Sequence, residues 1–179
     1  MDQTNLQRRR WLSLGGIMLG ATLFSNKAAA IVSTPKPMVL RLRNVNTGDV
    51  ATGQHLGGRF NSASLQSMNY LMRDRRENKV RAIDPNLYLK LIQIQARLGL
   101  RNSEIQVLSG YRTPRSNRAV RGAGNSFHMQ GKAVDFYIQG VPLAKVRNAA
   151  QSLNNGGVGF YPRSNFVHVD TGPVRTWRG

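Results

Sequence analysis

Apolar residues in the first half of the chain are spaced in a way that predicts one strand followed by two helices. A strand is predicted over 38–45, followed by a polar, glycine-containing stretch to Gly58. The next apolar residues recur at helical spacing: Leu65, Met68, Leu71 and Met72. A second helix is predicted to begin at Pro85, with Asp84 as its cap, and to end near Gly99. Both apolar stripes are typical of helices that pack on a core.

The pattern changes after Gly99 to short β-like segments, separated by loops rich in Gly, Ser, Asn and Arg. These segments are Ile105–Leu108, Ala133–Ile138, Val158–Tyr161 and Phe166–Val169. One more helix is predicted to begin at Pro142. The chain shows no internal repeat. The order of elements predicts an α+β fold, with N-terminal helices packed on a small, mainly antiparallel sheet.

The first thirty residues have the pattern of an export signal. Three arginines at 8–10 precede an apolar run over 12–24, which is shorter than the roughly 20 residues that span a bilayer. Ala28 and Ala30 form a small-residue cleavage motif. Paired arginines followed by Trp11 and Leu12 resemble a twin-arginine signal. The alternatives are a basic amphipathic start and an uncleaved anchor.

This signal divides the chain into two parts. We predict a signal peptide over 1–30 and a single domain over 31–179, with its core at about 38–177. The export machinery is then a partner of the signal, and the expected location is the periplasm or cell envelope. We expect the domain to be a monomer.

Composition narrows the chemistry that the domain can perform. The chain of 179 residues contains no cysteine, which excludes disulfides, thiolate metal sites and cysteine nucleophiles. Its formal net charge of +18 is typical of a nucleic-acid-binding protein. Export argues against that interpretation, because the polyanions outside the membrane are cell-wall carboxylates and envelope phosphates. The arginines also lack the aromatic interleaving of RNA-binding surfaces.

Histidines and carboxylates are few, and two of the histidines, both in the second half of the chain, have an aspartate close by in sequence. There are three histidines and eight Asp and Glu residues. His128 lies seven residues before Asp135, and His168 lies two residues before Asp170, so the latter pair shares one face of a strand. Two imidazoles and a carboxylate can hold a zinc ion with one position open to water, whose pKa then falls to about 7. The alternative is that each histidine is a surface or core residue with ordinary structural contacts. Spacing alone does not decide between this interpretation and a zinc site. His55 is expected at the surface.

The residues around these clusters resemble a known superfamily. The ordered motifs are Ser109-Gly110-Tyr111-Arg112, then Ser126-x-His128-x-x-Gly131-x-Ala133-x-Asp135, then a distant His168. This combination resembles the zinc D-alanyl-D-alanine peptidases, a superfamily that includes VanX-type dipeptidases, phage endolysins and the hedgehog fold. The segments 69–76 and 161–172 are similar to its YcbK-like murein endopeptidase branch.

The resemblance implies roles for individual residues. His128, Asp135 and His168 match the zinc ligands, and Arg112 matches the arginine directed at substrate or transition-state charge. It also implies contacts with the substrate or near the metal from three further residues: Ser109, Tyr111 and Ser126.

The position that carries a general-base glutamate in several relatives is Asn165 here, and an amide cannot accept that proton. The nearest carboxylate is Asp170. We expect it either to orient the attacking water or to act as the hydrogen-bond partner of His168.

The sequence therefore predicts an exported, zinc-dependent peptidase that hydrolyses amide bonds in peptidoglycan stem peptides or cross-links. An endopeptidase is preferred over a DD-carboxypeptidase. The main alternative is a non-catalytic, zinc-containing envelope module that binds peptidoglycan, and Asn165 is the residue that supports it. A nucleic-acid-binding protein is a third possibility, supported by charge alone, and no nucleic-acid partner is expected.

Overall fold

The computed structural model describes residues 37–100 and 102–179, so the predicted signal over 1–30 lies outside the described residues. The strands are β1 (Met38–Asn44), β2 (Val50–Leu56), β3 (Arg59–Phe60), β4 (Glu104–Ser109), β5 (Ala133–Ile138), β6 (Gly157–Tyr161), β7 (Phe166–Asp170) and β8 (Arg175–Arg178). The helices are α1 (Ser62–Leu71), α2 (Pro85–Arg97), α3 (Pro114–Ala119) and α4 (Leu143–Gln151), and a 3₁₀ helix spans Phe127–Gln130. Within these ranges, no helix is both long enough and apolar enough to cross a membrane.

All the described strands form one sheet of eight strands, in the order β3-β2-β1-β4-β5-β7-β6-β8. Strands β1 and β4 pair in parallel, as do β6 and β8, and the other pairs are antiparallel. The predicted α+β fold is thus confirmed, and the sheet is mainly antiparallel but larger than predicted.

The helix boundaries follow local capping chemistry. The Asn61 side chain accepts the Ser64 amide at the start of α1, and the Asp84 side chain accepts the Asn86 amide at the start of α2. Pro85 then occupies the first position of α2, where a missing amide proton costs nothing. The sequence prediction of a cap at Asp84 is confirmed.

The hydrophobic core lies between the helices and one face of the sheet. Helix α1 packs on β1 and β2, α2 contacts β1 and α4, and α4 packs on β5, β6 and β7. The sheet side chains in the core cluster alternate along their strands, as in Val134 and Phe136 of β5 and Val167 and Val169 of β7. Because neighbours in a strand point to opposite faces, Asp135 and His168 lie on the other face of the sheet.

The apolar pattern did not predict strands β2 and β8, and the structure shows why each was missed. In β2 the buried positions include Ala51 and Gly53, and these small residues give a weak alternation signal. A Cβ on Gly53 would come within 2.7 Å of Met68 Cε, so the missing side chain makes room for α1. Strand β8 has a polar sequence and is fixed by its parallel pairing with β6.

Candidate active site

Five neighbouring strands each contribute one residue to a row that crosses the sheet on the face opposite α1, α2 and α4. Ser109 of β4 pairs with Asp135 of β5, Asp135 pairs with His168 of β7, His168 pairs with Gly159 of β6, and Gly159 pairs with Trp177 of β8. We call these residues the cross-strand row. Directly paired residues point to the same face, so this register brings their side chains together.

Gly159 is the member of the row without a side chain, and this absence lets Trp177 lie across β6. A Cβ at this position would come within 2.6 Å of the Trp177 ring. The indole therefore reaches over to His168, with ring centroids 5.2 Å apart. Its Nε1 donates to the Tyr161 hydroxyl at 2.8 Å, and the Tyr161 ring stacks on Phe166 at 4.4 Å.

His128 is placed beside the row by the 3₁₀ helix. The Ser126 hydroxyl accepts the His128 amide at 3.3 Å and begins this turn. Gly131 ends it with φ of +69°, in the left-handed region that glycine occupies without steric cost. A Cβ on Gly131 would also lie 2.6 Å from the Ala82 carbonyl, so the turn packs closely on the segment before α2.

Three ligand-type atoms converge at this point. His128 Nε2 lies 3.2 Å from both Asp135 Oδ1 and His168 Nδ1, and the last two atoms are 2.8 Å apart. Among the residues described, this is the cluster of histidine and carboxylate groups that could hold a metal ion. Ligands about 2.0–2.1 Å from a tetrahedral zinc ion are about 3.3 Å from each other, so the donor set matches zinc in type and spacing.

Each imidazole is oriented through the ring nitrogen that faces away from the cluster. His128 Nδ1 donates to the Gly110 carbonyl at 2.7 Å, which leaves the lone pair on Nε2 directed at the cluster. His168 Nε2 lies 3.0 Å from Asp170 Oδ2, so Nδ1 is its inward-facing atom. Such outward hydrogen bonds are typical of metal-binding histidines.

Asp170 is completely buried behind His168, where its carboxylate is fully engaged. Arg175 Nη2 donates to Oδ2 at 2.7 Å, and the amides of Gly157 and Gly172 donate to Oδ1 at 3.0 and 2.9 Å. On the backbone side, Lys90 Nζ donates to the Asp170 carbonyl at 2.9 Å. The carboxylate therefore lies on the side of the His168 ring opposite the cluster.

The ionisation of the cluster follows from burial and mutual contacts. Burial by itself would raise the pKa of Asp135, but the charges and hydrogen bonds of His128 and His168 outweigh it and hold this pKa well below its usual range. Burial lowers the pKa of His128. For His168, burial is outweighed by hydrogen bonds to Asp135 and Asp170, which raise its pKa. At neutral pH the cluster thus contains an ionised carboxylate.

The Arg112 guanidinium lies beside the cluster. Its Nη2 donates to Asp135 Oδ2, and its Nε donates to the Ser109 hydroxyl at 2.7 Å. The Arg112 amide donates to the His128 carbonyl at 3.2 Å, which ties the Ser-Gly-Tyr-Arg segment to the 3₁₀ helix. Ser109 is thus placed to orient Arg112.

These groups open into a cavity of about 810 Å³. Its lining combines the cluster with three arginines, an aromatic wall and a glycine-rich loop: Leu108, Ser109, Arg112, Val120, Arg121, Gly122, Ala123, Asn125, Ser126, Phe127, His128, Asp135, Tyr161, Phe166, His168, Arg175 and Trp177. In the part of the chain that the structure describes, Asp135 contributes the single carboxylate of this lining.

The structure brings most of the sequence-predicted site residues together. His128, Asp135, His168, Arg112, Ser109 and Ser126 all line the cavity. Tyr111 lies elsewhere, packed against the core and in a smaller depression beside Asp74. Asp170 lies behind His168 and outside the lining. His55 lies on β2, partly exposed, against Phe60.

Sequence reasoning missed four residues that support the site. Arg175 and Trp177 line the cavity from β8, and Lys90 anchors Asp170 from α2. Burial lowers the pKa of Lys90 to about 8, although the Asp170 charge favours the protonated form. Asp74 is buried and accepts the Thr113 amide at 2.7 Å, next to Arg112. The scarcity of carboxylates could have drawn attention to Asp74, because each acidic residue in so basic a chain is a candidate for a specific structural or functional role.

Comparisons with known proteins agree with this arrangement. Residues 32–177 match the peptidase M15 family model described as "Peptidoglycan L,D-endopeptidase MepK". The chain belongs to the MepK family. The resemblance to murein endopeptidases predicted from the motifs is therefore confirmed, and so is the prediction of a peptidase.

Relatives from the MepK family align over their whole lengths. A Haemophilus influenzae protein named "Probable peptidoglycan L,D-endopeptidase MepK" is 54% identical, and the match covers 100% of both chains. Proteins named "Peptidoglycan L,D-endopeptidase MepK" from Escherichia coli and Shigella flexneri are 43% identical, with 99% of this chain and 100% of theirs covered.

Proposed function

We propose that this protein is an exported, zinc-dependent endopeptidase that hydrolyses amide bonds in peptidoglycan stem peptides or cross-links. The observation that carries the proposal is the convergence of His128 Nε2, Asp135 Oδ1 and His168 Nδ1 at the base of an open cavity, with Arg112 beside them. The names of the MepK relatives support an L,D bond as the one cleaved.

Zinc fits the donor set. The three atoms lie close to tetrahedral spacing, both imidazoles are fixed from behind, and the cavity leaves room for a fourth ligand. When bound, zinc would activate a water molecule and polarise the substrate carbonyl.

The chain's own residues would do the remaining work. The Arg112 guanidinium, held by Ser109 and Asp135, presents permanently charged donors where negative charge develops on the carbonyl oxygen. Trp177 and the Tyr161–Phe166 stack form a rigid apolar wall against which a peptide can lie. Ser126 holds the turn that presents His128.

Asp170 is best suited to act as the hydrogen-bond partner of His168. Its carboxylate contacts Nε2, Arg175 and two backbone amides, and it lies away from the cavity. An oxygen in that position orients the imidazole and increases its basicity as a ligand. Orienting the attacking water, the other role considered for Asp170, would require access to the cavity side of the cluster.

The Asp170→Asn variant tests this assignment. We expect zinc affinity to fall by about 10- to 100-fold, because outer hydrogen-bond partners contribute that much to metal sites. Activity should return when zinc is added in excess. Titration with a zinc chelator, followed by assay at saturating zinc, measures both effects. A variant that binds zinc normally but stays inactive at saturating zinc would instead assign Asp170 to the proton transfer itself.

Export and the envelope location are parts of this proposal that rest on residues 1–30. The positive charge of the remaining chain suits an anionic cell wall, and the domain is proposed to act as a monomer.

One observation favours a second candidate function, a non-catalytic module that binds peptidoglycan. Apart from Asp135, the described residues that line the cavity include no carboxylate that could accept a proton.

Digestion of isolated murein sacculi tests the proposed function directly. We expect the purified protein with zinc to release soluble muropeptides, and mass spectrometry of the products to identify the cleaved bond. A chelator should stop the release, and added zinc should restore it. Retained zinc and murein binding without any released product would favour the binding module. Steeply salt-dependent affinity for DNA, with none for murein, would favour a nucleic-acid-binding protein.

A further inference from the structure

Of the three arginines that line the cavity, two form salt bridges with carboxylates of the protein. Arg112 is paired with Asp135, and Arg175 is paired with Asp170. Within residues 37–100 and 102–179, Arg121 forms no salt bridge and no side-chain hydrogen bond, and it is exposed at the cavity. Arg121 is thus the cavity guanidinium whose charge no carboxylate of the described residues balances.

The backbone that presents Arg121 is tightly organised. Arg121 has φ of +54°, in the left-handed region that residues with a Cβ seldom occupy. Its amide donates to the Arg118 carbonyl at 2.9 Å, and the Gly122 amide donates to the Asn117 carbonyl at 2.9 Å. Asn117 is itself buried and donates from Nδ2 to the Ala123 carbonyl at 3.0 Å. These hydrogen bonds therefore fix the backbone from which the Arg121 side chain extends.

The charge around Arg121 favours an anionic ligand. The lining contains three arginines and one carboxylate, and that carboxylate belongs to the metal-type cluster. Among the described residues of the lining, no other acidic side chain competes with a ligand for the Arg121 guanidinium. A guanidinium with free donors binds a carboxylate through two parallel hydrogen bonds, which fix position as well as charge.

We propose that Arg121 forms a subsite for a free carboxylate of the substrate peptide, close to the bond that is cleaved. The inference rests on the proposed function, because it takes the substrate to be a cross-linked peptide, whose anionic group is a carboxylate. The protein then selects peptides in which this carboxylate is free over those in which it is a carboxamide.

A matched pair of substrates tests the subsite. The two are cross-linked muropeptide dimers that differ only in whether the carboxylate beside the scissile bond is free or amidated. For the wild-type protein with zinc, we expect kcat/KM to be about 10- to 100-fold higher on the free form, through a lower KM. Arg121→Gln should lose the preference and cleave the two forms with equal kcat/KM. Arg121→Lys should keep part of the preference, because it retains the charge but loses the planar fork.

Arg118→Gln is the matched control. Arg118 is exposed on α3 and lies outside the cavity lining, so its variant should keep the full wild-type preference. If the wild-type protein cleaves both substrates equally, the subsite is refuted while the endopeptidase function stands. If Arg121→Gln retains the wild-type preference, Arg121 is not the recognising residue. Failure of the zinc-loaded wild-type protein to cleave either dimer would overturn the proposed function together with the subsite.

Discussion

The His128→Ala variant is expected to lose peptidoglycan cleavage by about 1000-fold or more. Removing this imidazole takes away one of three ligand atoms that lie 2.8–3.2 Å apart. The two remaining donors cannot hold zinc tightly, and the several kcal/mol that a metal ion contributes to catalysis correspond to at least about a thousand-fold in rate. Zinc content by elemental mass spectrometry and product release from sacculi measure the two losses together.

The matched control is His55→Ala. His55 lies on β2, against Phe60 and outside the cavity, so its variant should keep wild-type zinc content and rate. Circular dichroism and thermal unfolding should show that both variants remain folded. A His128→Ala protein that binds one zinc ion and cleaves sacculi at the wild-type rate would contradict the assignment of the metal site.

The Arg112→Gln variant is expected to lower kcat/KM by about 100- to 1000-fold. This is the range observed when a donor to a developing oxyanion is removed. Arg112 lines the cavity beside the cluster, and its Nε is held by Ser109 at 2.7 Å, so its guanidinium is fixed before the substrate binds. Arg112→Lys should be intermediate, because the charge remains but the fork of donors is lost.

Arg112 is also paired with Asp135, so zinc affinity must be measured for the same variants. We expect the loss in kcat/KM to persist at saturating zinc. Arg115→Gln is the control, because Arg115 is 86% exposed and lies outside the lining. A wild-type rate for Arg112→Gln at saturating zinc would show that Arg112 does not stabilise the transition state.

Helices α1, α2 and α4 and the central strands could be predicted because their signals are local, whereas the short helix α3 was not predicted. Asp84 and Pro85 mark the start of α2 through capping and a fixed backbone angle, and both act within one turn. The alternating apolar residues of β5 and β7 follow from burial of one face of the sheet. The polar sequence of β8 carries no such signal, since its place depends on pairing with β6.

The candidate site shows the same division between local and long-range causes. His128, Asp135 and His168 were identified from motifs, because a metal site needs particular residue types in a particular order. The contributions of Trp177 and Arg175 were missed, because they reach the cavity through β8. Tyr111 belongs to the same motif as Arg112, yet it packs on the core, since consecutive residues point in different directions.

The sequence by itself determined the types of residue available for chemistry, the start of α2 at its Asp84 cap, and the family. Without cysteine and with few acids and histidines, the possible metal ligands were limited to a handful of positions. Only the tertiary structure decided which residues share the cross-strand row, because register is set by pairing between strands that are distant in sequence. It likewise placed Asp170 behind His168 and placed Arg121 in the cavity lining, where no carboxylate of the described residues pairs with it. The physical reason is that distances between residues far apart in sequence decide which carboxylates and guanidinium groups pair within the protein. The charged groups that are not paired can bind the substrate.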